Sequence, residues 1–261
     1  MLKRVVAILA IDLILCFAAS AGNAMERLTV MISGGFSMAY RQVLPEFERN
    51  TGIAVTTLSG ASQGTGPKTI KSQLEQGAQV DVVILSKEGL DELMAAGRIA
   101  TGSDVGLATV LLGAAVHQGA PKPDIGSDDA LKRALLGARL VAMPASTGGI
   151  FMTKEVLPKL GIADKVSLKM VPRGTDATAM VAAGEADLVI GPLSELAGQP
   201  GIETVGPLPD DVQLAQLFTA AMVKTAHNPE QAKKLIDFLA SGQTTAAIKN
   251  SGMQPAGNRK P

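Results

Sequence analysis

The 261-residue chain contains one cysteine, two histidines, one tyrosine and no tryptophan. The cysteine, Cys16, sits inside an N-terminal apolar run, so the rest of the chain has neither a disulfide nor thiol chemistry available to it. His117 and His227 are far apart in sequence and have no acidic cluster beside them; both are expected in solvent. That argues against a transition-metal site, and no metal and no organic cofactor is expected. Aromatic residues make up 3% of the chain, too few for a surface that stacks sugars or bases, and packing falls to Ala, Val, Leu, Ile and Met. Charge of one sign is not in excess either. Lys plus Arg and Asp plus Glu number 24 each, which points away from nucleic acid or an anionic membrane as a partner. No Ser/His pair is singled out by its spacing, and no apolar run beyond the N-terminus could span a bilayer.

Residues 1–24 have the pattern of a secretory signal peptide. Lys3-Arg4 forms a positive start, Val5 to Phe17 an apolar stretch, and Ala18 to Ala24 a small-residue end, with cleavage expected after Ala24 or Ala21. Asp12 is a blemish in the apolar stretch. Removing Lys3, Arg4 and Asp12 with this segment leaves 22 basic and 23 acidic residues, a formal charge of −1. The expected location is the periplasm, and the expected state a monomer.

The remainder alternates short apolar runs with helix-like segments, the signature of an α/β fold with a mostly parallel sheet. Strands are expected at 28–32, 53–58 and 80–85, with helices at 38–50, 67–76 and 87–96 between and after them. A long run, 105–116, breaks the rhythm, and Pro121-Lys122-Pro123 reads as a boundary. A second series follows: helices at 128–136, 149–160 and 175–183 with strands at 140–143, 167–171 and 188–190. The Gly- and Pro-rich stretch 198–209 reads as a second crossing, 212–223 as another long strand, and Asn228-Pro229 as the start of a last helix to Ser241. The expected division is lobe 1 at 25–116 plus 210–261 and lobe 2 at 117–209.

In open parallel sheets a ligand sits beyond the C-terminal strand ends. The turns there carry Ser33-Gly34-Gly35, Ser59 to Gly64 with Ser62, Ser86-Lys87, Ser146-Thr147-Gly148-Gly149, Pro172-Arg173-Gly174-Thr175 and Pro192-Leu193-Ser194. Each turn taken alone is ordinary turn chemistry. Six of them at strand ends in two lobes favour a small anion held in a cleft, since helix starts offer unpaired N–H groups and glycine lets the backbone come close. Gly60 to Thr69 resembles a phosphate loop, but Pro67 separates Gly66 from Lys68 and the glycine spacing is wrong, so the segment reads as an anion-binding helix start rather than a nucleotide site. Arg173 stands between a strand and a helix, where a planar guanidinium can grip a carboxylate; Lys68 and Lys87 are weaker candidates.

The order Ser33-Gly34-Gly35-Phe36, Phe47 to Gly52, Gln73 to Leu85 and Met180 to Asp187 resembles the periplasmic molybdate-binding (ModA-like) family of solute-binding proteins, over residues 27–256. The resemblance implies a two-lobed, type II periplasmic-binding-protein fold that closes on a ligand. It also implies departures: the tyrosine that family usually carries after Gly184-Glu185-Ala186-Asp187 is missing, and Arg173 and Lys68 add positive charge. Val171-Pro172-Arg173, Ser194-Glu195-Leu196 and Pro200 to Pro209 are similar to a branch that includes a periplasmic aconitate isomerase. Two functions follow from the resemblance. One is isomerisation of a tricarboxylate, with Glu195, Glu88, Asp176 or Tyr40 moving the proton and Ser33, Gly34, Gly35, Ser62, Ser86, Ser146, Thr147, Arg173 and Ser194 binding. The other is delivery of an oxyanion or organic acid to an ABC permease.

Overall fold

A computed structural model describes residues 27–257; the expected signal peptide lies outside them. The first series comprises β1 (Arg27–Ile32), α1 (Gly34–Thr51), β2 (Ala54–Ser59), α2 (Ile70–Glu75), β3 (Val82–Ser86) and α3 (Lys87–Ala95). After β4 (Val105–His117) the second series comprises α4 (Asp128–Gly137), β5 (Val141–Pro144), α5 (Thr147–Phe151), α6 (Leu157–Lys159), β6 (Leu168–Val171), α7 (Gly174–Ala182), β7 (Leu188–Pro192) and α8 (Leu193–Leu196). The chain closes with β8 (Ile202–Pro207), β9 (Ala215–Met222), α9 (Pro229–Leu239), α10 (Thr245–Asn250) and β10 (Gln254–Pro255).

The two series build two similar sheets. In the first, β1 lies between β2 and β3, all parallel, and β9 adds antiparallel to β3. In the second, β5 lies between β6 and β7, all parallel, and β4 adds antiparallel to β7. One strand serves both sheets: Val105–Leu111 of β4 pairs with β9, whereas Leu112–Val116 pairs with β7, and β8 covers its other edge. The partners therefore change inside β4, between Leu111 and Leu112, rather than in the proline-bounded stretch after it. Gln213 secures that point, its Oε1 accepting from Leu112 N–H at 2.8 Å while its Nε2 donates to Leu112 C=O at 3.1 Å.

Period-2 alternation sends each strand's side chains to opposite faces, and here both faces are packed. Val82 and Ile84 join Leu28, Phe36 and Phe47 on one face of the first sheet, while Val83 and Leu85 join Ile70, Leu90 and Leu93 on the other. In the second sheet Val141 and Met143 pack with Leu131 and Val156, and Ala142 packs with Ala177 and Val181. This is the expected α/β architecture.

Several boundaries differ from the sequence reading. α1 begins at Gly34, a turn earlier than expected, because Ser33 adopts the extended conformation of an N-cap. α2 begins at Ile70 rather than Pro67, because the Thr69 side chain accepts from Ser72 N–H and starts the helix there. The supposed crossing at 198–209 contains β8, and its Gly206 adopts a φ of 155° beside the irregularity in the β4–β8 register. The helix after β5 continues through a π turn, Met152–Val156, into α6.

Candidate functional site

The C-terminal ends of both parallel triplets face one another across a cavity of about 290 Å³. The first half contributes Ser33-Gly34-Gly35 and Ser37, Met38 and Arg41 of α1, Ser59 to Ser62 after β2, and Gln216 and Phe218 from β9. The second half contributes Pro144, Ser146 and Gly148, then Pro172 to Thr175, then Pro192, Ser194, Glu195 and Gln199. Of the residues expected to bind a ligand, Ser33, Gly34, Gly35, Ser62, Ser146, Arg173 and Ser194 line this space, as does Glu195.

Three buried polar atoms in the lining have no hydrogen-bond partner: Ser33 Oγ, Ser194 Oγ and Gln216 Oε1. Unpaired polar groups are costly when buried, and three in one cavity mark a place where a polar ligand completes the bonding. The Ser33 N–H donates to Ile84 C=O at 2.9 Å, so that turn is held by the backbone and its hydroxyl is left free.

Glu195 occupies the centre of the arrangement. It follows β7 on α8, and its carboxylate lies against the starts of two longer helices. A Cβ placed on Gly34 would lie 3.0 Å from the Glu195 carboxyl carbon, and one on Gly174 only 2.7 Å from it. Both glycines stand at the first position of their helices, α1 and α7, one in each half. They leave room for the carboxylate where any other residue would displace it. Burial pushes the Glu195 carboxyl up to about 7, and no ion pair among the described residues offsets this. The N–H ends of α1 and α7 work against the shift by favouring the anion. A carboxyl balanced in this way can both accept and return a proton at neutral pH.

Arg173 caps the start of α7 and pairs with Asp176 at 3.2 Å, leaving nearly half of its side chain exposed at the cavity. Other expected residues lie elsewhere. Ser86 Oγ bonds Thr147 Oγ1 at 2.8 Å in a buried contact between the halves, and Ser86 N–H donates to Ser62 Oγ at 3.0 Å. These two hydroxyls form the wall behind the cavity instead of its surface. Gln63 N–H donates to Ser146 Oγ at 3.3 Å on the same side. Glu88 also lies off the cavity, with its Oε2 buried and unpartnered. Lys68 does not reach the cavity, and Lys87 is turned to Asp91 on its own helix. Tyr40 is buried, bonded to Thr57 Oγ1 at 3.0 Å, and burial pushes its hydroxyl up to about 12, which removes it from proton transfer near neutrality. It lines a neighbouring cavity of about 240 Å³. His117 and His227 are exposed, and among the described residues no group of His, Cys, Asp or Glu could hold a metal ion.

The sequence reading passed over Arg41, Gln199, Gln216 and Phe218. Arg41 is seven residues beyond Gly34, on the same face of the helix, a spacing that could have exposed it. Gln216 is a polar residue within the long apolar run 212–223, and a buried polar residue among apolar ones is itself a signal.

Residues 28–254 match the family described as bacterial extracellular solute-binding protein. The chain is 37% identical over 237 residues to an aconitate isomerase from a Pseudomonas species, covering 90% of each chain. It is 27% identical over 262 residues to the molybdate-binding protein ModA of Azotobacter vinelandii, covering 96% of this chain and 97% of that one. The sulfate-binding protein SubI of Mycobacterium tuberculosis has the same fold, with a TM-score of 0.71 at 19% identity over 89% of this chain and 88% of that one.

Proposed function

The chain belongs to the bacterial extracellular solute-binding protein family, and on that premise we propose that it binds a small polycarboxylate between its lobes and interconverts cis- and trans-aconitate by allylic proton transfer. The observation that carries this reading is the Glu195 carboxyl, pushed up to about 7 by burial inside a cavity otherwise built from helix starts, hydroxyls and two guanidinium groups. A cage made only to hold an oxyanion gains nothing from a carboxylate at its centre, since like charges repel. A proton-transfer site requires one. The relative named aconitate isomerase supports the same chemistry.

In the proposed reaction the Glu195 carboxylate takes a proton from the methylene carbon of aconitate. The electron pair left behind spreads through the adjoining C=C bond onto the far carboxylate. Glu195 then returns a proton to the far carbon. The double bond has moved one position, with no net gain of atoms or electrons. The geometry about the new double bond follows from how the end carboxylates are held. Arg173 and the N–H groups at the starts of α1 and α7 stabilise the charge that develops. Ser33, Ser62, Ser146 and Ser194 supply hydroxyl contacts, and Gly34 and Gly35 backbone ones. Ser86 and Thr147 act behind them as support, and Glu88 takes no part. The lobes proposed at residues 25–116 with 210–261 and at residues 117–209 are joined through β4, which pairs in both sheets. The protein is exported to the periplasm, acts as a monomer and needs no metal or organic cofactor.

A second reading, a binding subunit for an ABC importer of molybdate, another oxyanion or an organic acid, draws on the likeness to the molybdate-binding protein over nearly the whole chain. Following cis-aconitate with the purified protein by NMR, beside calorimetry with molybdate, separates the two. Conversion to trans-aconitate is the expected result. Tight molybdate binding without any conversion favours the importer reading.

A further inference from the structure

Three charged side chains line the cavity: Arg173, Glu195 and Arg41. Arg41 has no assigned part so far, and three observations single it out. First, it lines both the cavity of about 290 Å³ and the adjoining one of about 240 Å³, together with Ser37 and Ser59, and so stands at the junction of the two. Second, among the described residues it takes part in no ion pair, whereas Arg173 is already tied to Asp176. Third, it lies two helical turns from Gly34, about 10 Å along α1, and helical side chains lean back towards the N-terminus. A long guanidinium there reaches back over the cavity from the end away from the start of α1, where Glu195 sits.

We propose that Arg41 anchors a third carboxylate and thereby sets a preference for tricarboxylates over dicarboxylates, an inference that rests on the polycarboxylate reading of the site. Arg173 and the two helix starts, grouped around Glu195, hold the two carboxylates carried by the alkene carbons of cis-aconitate, leaving the one on the methylene arm. Arg41 takes the remaining one, in a charge-assisted contact that a dicarboxylate cannot make. The unpaired Gln216 Oε1 and Ser33 Oγ show that the cavity is built for a polar occupant, not simply open at a helix end.

The test compares cis-aconitate with methylmaleate, which is the same cis diacid with CH3 in place of CH2–COO−. Dissociation constants of both are measured by calorimetry for the wild type, Arg41→Met, Arg41→Lys and Arg173→Met. Arg41→Met is expected to weaken cis-aconitate roughly 10- to 100-fold and to leave methylmaleate within about threefold. Arg41→Lys is expected to recover part of the loss, and Arg173→Met to weaken both ligands. Arg41 is exposed, and an unchanged melting temperature in the variant shows that it folds. If Arg41→Met affects both acids equally, or neither, this inference fails while the reading of the site stands. If the wild type binds neither acid, both fail together.

Discussion

In the first half of the molecule the strand order β2–β1–β3 brings three turns to the cleft, after Ile32, Ser59 and Ser86; in the second, β6–β5–β7 brings the turns after Pro144, Val171 and Pro192 to the opposite side. The third turn is used differently in each. After β3, Ser86 caps its helix by accepting from Gly89 N–H at 3.3 Å and bonds Thr147 across the cleft, and Lys87 is turned to Asp91. Ser86 and Lys87 are thus occupied, and the unpartnered Glu88 Oε2 beside them lies off the cavity. After β7, Ser194 Oγ has no partner, and the Glu195 carboxyl stands between Gly34 and Gly174 without a counter-ion. Equivalent positions in two similar sheets have become a clasp on one side and a reactive group on the other. A bonded polar group stabilises the fold, whereas an unbonded one stays available to a ligand.

Glu195→Gln should break the comparison most sharply. It keeps the shape of the corner and removes the proton carrier, so turnover of aconitate should fall about 10²- to 10⁴-fold with trans-aconitate binding retained. Steady-state kinetics with calorimetry checks this. Next comes Gly174→Ala, whose methyl would push the carboxylate aside. A misplacement of that order costs roughly 10²-fold in turnover, and since Gly174 is not among the glycines with positive φ, no backbone strain accompanies the loss. Thr147→Val belongs to the other corner. It leaves Ser86 Oγ without its cross-cleft partner and should cost about 1–3 kcal/mol of stability, read from denaturant unfolding, with chemistry affected far less. The smallest effect is expected of Lys87→Ala, which should leave KM within about twofold, because the side chain faces away from the cavity.

The alternation of apolar runs and helices was legible in the sequence because the inner strands β3, β5 and β7 are buried along their length, which makes them nearly uninterrupted apolar stretches. Val82 to Leu85 is a clear case. The point where β4 changes partners was not legible, because Leu111-Leu112 is as apolar as its surroundings and the cue is a side chain 101 residues away, Gln213. In the site, serine and glycine turns were recognisable as helix starts. Which hydroxyls face the cleft was not, since Ser86 and Ser194 look alike until their partners are known. Arg41 escaped because it lies within a helix rather than in a turn.

The raised Glu195 carboxyl also fixes the sign of a pH effect. Its folded value, about 7, exceeds the ordinary 4.5, so the folded state holds the proton more firmly. Stability from this group is therefore full below 4.5, falls as the pH rises towards 7, and is level above that. The most direct measurement is an NMR titration of the Glu195 carboxyl carbon, assigned by its disappearance in Glu195→Gln. A midpoint near 7 is the expected result. A midpoint near 4.5 would leave an ordinary ionised carboxylate in the cleft and contradict the proposed proton transfer.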